Sequence, residues 1–164
     1  MSRTDLADKT CTIARTVELL GDAWTLLIMR EMFLAGRRFD ELQRQTGASP
    51  HILSQRLKRL EGAGVLSREA YSEHPPRYEY RLTAMGRDLW PVVISMKQWG
   101  DKWFDHDNSP VETAHVEISH KGCGATVMPH MTCPECGVPM HAHDAEPHLS
   151  PEYERERAAT RRQP

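Results

Sequence analysis

The sequence predicts a mainly α protein with one small β ribbon, followed by a small unit rich in cysteine and histidine. Three observations carry this expectation. Short amphipathic helical segments broken by Gly and Pro fill the chain before residue 65. Two alternating segments then flank Ser72-Glu-His-Pro-Pro76. Beyond Trp103 the composition shifts, and seven of the nine histidines and three of the four cysteines lie there.

The 164 residues suit one globular domain with a small appendage. Charge follows the same division: residues 1–101 carry 15 basic and 13 acidic groups, 102–154 carry 2 and 9, and 155–164 carry 4 and 1. A net charge of −2 argues against a polybasic tail and against a strongly acidic solvating chain. No stretch approaches the roughly 20 apolar residues that a membrane-spanning helix needs, and Met1 to Thr10 holds no apolar export segment. A cytoplasmic protein with no membrane association is expected. No internal repeat is visible.

Ile13, Val17 and Leu20 recur at helical spacing, and Gly21 supplies a stop. Asp22 then caps a second helix whose buried face is read as Trp24, Leu27, Ile28, Met32 and Phe33, ended by Gly36. A third helix is expected from Arg37 to about Thr46. After Gly47-Ala48, Ser49 is an N-cap and Pro50 a first helical residue, which completes a helix-turn-helix. In the helix after Ser49, Leu53, Leu57 and Leu60 point one way, while His51, Ser54, Gln55 and Lys58 recur on another face. That second face is either an ordinary solvated surface or a set of donors for base edges and phosphates, with Arg56 and Arg59 flanking it to neutralise backbone charge.

Gly62-Ala-Gly64 ends this helix, and Val65–Tyr71 and Arg77–Leu82 read as two strands of a wing, with Arg77 beside the tip. Arg77 is read as a minor-groove or phosphate contact, or else as a surface turn residue. Thr83 caps a longer helix to about Phe104, which Pro91 kinks or truly starts. Its stripe of Leu89, Val92, Val93, Met96, Trp99 and Trp103 either packs within the chain or meets a second copy; dimerisation is the preferred reading. Asp105–Pro110 reads as a linker, and residues 1–10 and 150–164 as flexible termini, the latter a frayed helix or disorder.

Further on, His120-Lys-Gly-Cys123-Gly and Cys133-Pro-Glu-Cys136-Gly have ligand spacing. Two knuckles carrying Cys123, Cys133, Cys136 and His120 select zinc in a reducing compartment, in a zinc-ribbon-like unit over residues 112–145. His130, His141 and His143 remain alternatives to His120. One structural zinc per chain would supply folding energy that so small a core lacks.

The runs Cys11–Glu31, Arg38-Phe-Asp-Glu-Leu42, Leu53–Leu60, Gly64-Val-Leu66 and Tyr80-Arg-Leu-Thr83 together resemble the HxlR family of bacterial, MarR-like winged helix-turn-helix regulators over about Cys11 to Trp103. The resemblance implies a homodimeric transcription factor on a pseudo-palindromic DNA site, with residues 11–104 as the DNA-binding and dimerisation domain and the dimer formed through the N-terminal helix and the 84–104 helix. The DNA-contacting set is then Arg38, Ser49, His51, Ser54, Gln55, Lys58, Arg59 and Arg77. The family's oxidant sensors use a cysteine at the position of Cys11, making it a candidate redox sensor; a small buried interface residue is the other reading. The effector is a small molecule or an oxidant. A zinc-dependent protein-interaction adaptor and a zinc hydrolase or redox protein are the rival functions, the latter without HExxH, nucleophile elbow or phosphate loop.

Overall fold

The computed structural model describes residues 9–74, 76–104 and 116–160. The chain forms two compact units: residues 1–90 with 149–164, and residues 91–148. The division falls at the start of the helix that follows Trp90. The expected linker Asp105–Pro110 and residues 1–8 lie outside the described residues.

In the first unit, α1 (Thr12–Leu20), α2 (Ala23–Phe33), α3 (Phe39–Thr46) and α4 (Pro50–Gly62) precede a two-stranded antiparallel ribbon, β1 (Leu66–Glu73) and β2 (Pro76–Leu82), and a short α5 (Ala84–Arg87). Asp22 caps α2: its carboxylate accepts from the Thr25 amide at 3.0 Å and the Thr25 hydroxyl at 2.6 Å. The helix α2 ends earlier than expected, in a left-handed turn at Ala35 (φ 70°). The helix α3 starts two residues late because Arg37 and Arg38 are recruited to the ribbon. The Tyr80 amide donates to the Arg37 carbonyl at 2.8 Å, and Arg38 bridges Glu79. Gly47 (φ 69°) turns the chain, and Ser49 Oγ accepts from the Ile52 amide at 3.3 Å, with Pro50 in the first turn of α4.

Ile28, Leu42, Leu53, Leu57, Leu60 and Val65 have no exposed surface and form the core. Burial of each such side chain stabilises by about 1.5–3 kcal/mol. Thr25 and Met29 join this core, whereas Trp24, Leu27 and Phe33 are only half-buried. The ribbon pairs Leu66 with Leu82 at its base and carries a bulge between Ala70 and Ser72. At its exit the Thr83 hydroxyl donates to the Gly64 carbonyl at 2.6 Å and accepts from the Gly86 amide at 3.1 Å. A Cβ on Gly86 would lie 2.2 Å from the Val65 carbonyl oxygen, so only glycine fits there.

The helix α6 (Trp90–Trp103) starts beside Pro91, which marks its start and does not kink a helix running from Thr83, and Ile94 is its one buried residue. Val92, Met96, Trp99 and Trp103 all lie exposed along it. Of the two readings of the tail, a frayed helix or disorder, it takes a helix, α7 (Pro151–Thr160), in the first unit. Ser150 Oγ accepts from the Tyr153 amide at 3.2 Å, and Glu156 accepts from the Thr10 amide at 2.8 Å while pairing with Lys9.

Asp22 also binds Arg56 at 2.9 Å. Burial opposes its ionisation, but the Thr25 hydroxyl and amide and the Arg56 guanidinium outweigh burial and lower the carboxyl from 3.8 to about 2. A depressed carboxyl contributes stability above its unfolded pKa and loses it as pH falls through the folded one. Asp22→Ala should therefore cost about 1–2 kcal/mol near neutral pH, and the gap from wild type should close as pH drops from about 4 toward 2. Urea titrations of both proteins across that range check this; a gap that stays constant would remove the carboxylate from the account.

Candidate functional site

The outer face of α4 presents His51, Gln55 and Lys58, all exposed, with Ser54 half-buried. Its inner face is sealed by Leu53, Leu57 and Leu60. The Gln55 amide lies 2.8 Å from His51 Nε2, one turn away, so the two polar groups are oriented together. Three donors on a helix whose opposite face is immobilised form a rigid polar edge of a size that enters a major groove.

Arg56 and Arg59 do not join that edge. Arg56 is committed to Asp22, and Arg59 Nη2 bonds both the Glu18 carbonyl and the Glu18 carboxylate of α1. Arg59, expected among the DNA-contacting residues, is engaged with Glu18 in this structure. Positions 56 and 59 are one turn apart on the flank that faces α1 and α2, where each guanidinium binds an acidic partner. Their work is to clamp α4 to the scaffold.

At the wing, Arg38 Nε binds Glu79 at 3.3 Å and its guanidinium stacks 4.7 Å over the Tyr71 ring. Arg38, Arg77, Tyr71, Tyr78 and Tyr80 line one open groove with Phe39 and Asp40. Arg77 is exposed beside it. Ser49 is used as the cap of α4, which leaves its hydroxyl hydrogen to donate outward.

Cys11 sits at the N-cap of α1 as a free, half-buried thiol. The Tyr153 hydroxyl bonds its sulfur, and amides of Ala14 and Ile13 add to this; partial burial and Glu156 act the other way, and the net pKa falls below the ordinary 9.0. The sequence analysis of Cys11 did not anticipate Tyr153. The readable signal was Ser150-Pro151, the same cap-and-proline pair that starts α4.

The second unit folds its two Cys-containing segments into equivalent turns. His120 and Cys123, and then Cys133 and Cys136, occupy two hairpin turns offset by 13 residues (120 to 133, 123 to 136). In both, the glycine after the second of these residues is left-handed, Gly124 at φ 74° and Gly137 at φ 70°, and its amide returns to the carbonyl of His120 or Cys133 at 2.7 and 2.8 Å. The His120 amide donates to the Ala125 carbonyl as that of Cys133 does to Val138, both at 2.9 Å. Bridges Ser119–Thr126 and Thr132–Pro139 close the two turns. His120 Nδ1 lies 3.4 Å from Cys123 Sγ. The amides of Cys136 and Glu135 and the Cys136 side chain bond the Cys133 sulfur and lower its pKa. Among the described residues no three His, Cys, Asp or Glu side chains converge, so each knuckle presents a pair. His130 turns to the Met128 carbonyl, and His141 stacks on His143.

Residues 19–108 match the HxlR-like helix-turn-helix family. An uncharacterized HTH-type transcriptional regulator of Mycobacterium tuberculosis, Rv3095, is 36% identical over 149 residues, covering 91% of this chain and 92% of the relative. The solved structure of PA1607, a provisionally assigned transcription factor, is similar with a TM-score of 0.75 and 30% identity over 89% of this chain and 99% of that one. The redox regulator HypR in its reduced form is similar with a TM-score of 0.53 and 34% identity over 58% of this chain and 95% of that one.

The Tyr153 contact makes a prediction of its own. Tyr153→Phe should move the pH profile for alkylation of Cys11 to higher pH, followed by mass spectrometry of the peptide that carries it. A profile identical to wild type would exclude the hydroxyl as the cause.

Proposed function

The chain belongs to the HxlR-like helix-turn-helix family, and on that basis we propose that it is a sequence-specific DNA-binding transcriptional regulator, with a regulatory and not a catalytic role. The observation that carries this is the polar edge of α4, His51, Gln55 and Lys58, held outward by a helix clamped through Asp22–Arg56 and Glu18–Arg59. In this reading α4 enters the major groove and Gln55, oriented by His51, reads base edges. Lys58, Ser54 and Ser49 reach phosphates or bases beside it. Arg38 and Arg77 meet the sugar-phosphate backbone from the wing.

The working form is a homodimer on a pseudo-palindromic site. Support comes from apolar side chains left open on the two helices expected to pair: Ile13 is 73% exposed on α1, and Trp99 and Trp103 are 57% and 62% exposed on α6. Surfaces of this kind mark partner contacts, and two-fold pairing presents two α4 helices to successive grooves. Cys11 supports a further element, response to an oxidant, because a low-pKa thiol that is not fully buried is the chemistry an oxidant attacks.

The test is fluorescence anisotropy on DNA from upstream of the coding region, with random DNA as competitor. Binding should survive the competitor and weaken steeply with salt. Gln55→Ala should cost about 1–3 kcal/mol on that DNA and relax base preference. Arg77→Ala should weaken specific and random binding alike and lower the salt slope by about one. Equal losses on both DNAs from both variants would sink the residue roles.

Trp99→Asp checks the assembly. Wild type should sediment as two chains and the variant as one, with DNA binding weakened; a variant that stays dimeric would move the interface elsewhere.

A further inference from the structure

The repeated turns of the second unit go beyond the DNA-binding reading. We propose that they are two halves of one metal site, a structural zinc held within one chain by His120, Cys123, Cys133 and Cys136, and that the repeat identifies His120 as the fourth ligand over His130, His141 and His143.

The argument rests first on equivalence. His120 stands where Cys133 stands, and the two turns share their left-handed glycine, their carbonyl-to-amide closures and their bridges. Nothing in backbone geometry alone requires the first position of each turn to be a metal-binding side chain, yet both are. His130 and His143 also stand 13 residues apart, but both lie beyond the bridged turns, whose matched closures end at Val127 and Met140, and His141 corresponds to Met128.

The third position of each turn supplies an independent sign. It is Gly122 in one and Glu135 in the other. A Cβ on Gly122 would lie 3.0 Å from His120 Cε1, so the glycine makes room for an imidazole folded over its own knuckle toward Cys123. A cysteine at the corresponding position is smaller, and Glu135 is tolerated beside it.

The donor set fits the ion. Three thiols and an imidazole in two pairs match a tetrahedral zinc site with no open position. The side chains between and around the turns cannot replace it as a core: Met128, Met131 and Val138 are 71%, 75% and 58% exposed. When bound, zinc would supply the attraction that draws the two pairs together and would contribute folding free energy to the unit.

The experiment uses the full chain grown with zinc and purified without chelator. Metal per chain is measured by mass spectrometry, and the cobalt-exchanged protein by absorption spectroscopy. One zinc per chain, with tetrahedral cobalt bands and thiolate charge transfer, is expected. Cys133→Ser and His120→Ala should lose the metal, while His130→Ala, His141→Ala and His143→Ala keep it. His120→Cys should retain one metal and gain charge-transfer intensity from a fourth thiolate, a result that misfolding cannot imitate. Limited proteolysis should show chelator-induced cleavage within residues 116–148. Three outcomes would each overturn the proposal: wild type with neither zinc nor thiolate–cobalt bands, half a metal per chain, or His120→Ala retaining metal that another histidine variant loses.

Discussion

The carboxylate of Asp22 is the interaction on which the placement of α4 depends. One side chain caps α2 through Thr25 and holds Arg56 of α4, so a helix end and a helix-helix junction share one charge. Glu18 makes the parallel arrangement from α1, binding Arg59. Leucines 53, 57 and 60 fix how deep α4 sits, but apolar contact is non-directional and would tolerate some rotation of the helix about its axis. Two charged bonds on one flank remove that freedom and determine which residues face out.

This clarifies which part of the site was legible in the sequence. The turn was readable from local chemistry: Gly47 takes a left-handed backbone, Ser49 caps and Pro50 starts a helix, and the heptad-like leucines give the buried face. The residues of the outer face follow from those by helical geometry. The roles of Arg56 and Arg59 were not readable, because an arginine on the boundary of an amphipathic helix is equally suited to a phosphate and to a carboxylate. The choice depends on Asp22 and Glu18, 34 and 41 residues away in the chain. Basic residues beside a recognition helix are thus poor witnesses to DNA contact until their acidic neighbours are placed.

The second unit shows the opposite limit. Its repeat is a repeat of hydrogen bonds more than of residues: the two turns share a glycine and a His or Cys at two matching positions and differ at most others. The ligand spacing shows the two segments, but not that their turns are equivalent, since the turns are stabilised by backbone closures and left-handed glycines and bury almost nothing. The histidines were indistinguishable in sequence for the same reason. Three-dimensional equivalence distinguishes them because it compares positions in a turn, not distance along a chain.

The C-terminal helix connects both lessons. Its charged, apolar-poor composition argues for a flexible tail, yet Ser150 and Pro151 start it and Glu156 and Tyr153 bind the segment Lys9–Cys11. Composition measures how much surface a segment can bury; it does not register a few directed bonds at a cap and a chain end. Those bonds place a hydroxyl on the one thiol of the first unit, at the start of the same helix whose Glu18, two turns on, binds Arg59. The chemistry at Cys11 and the clamp on α4 therefore share a single rigid element, and any change in how α1 begins acts on the helix that presents His51, Gln55 and Lys58.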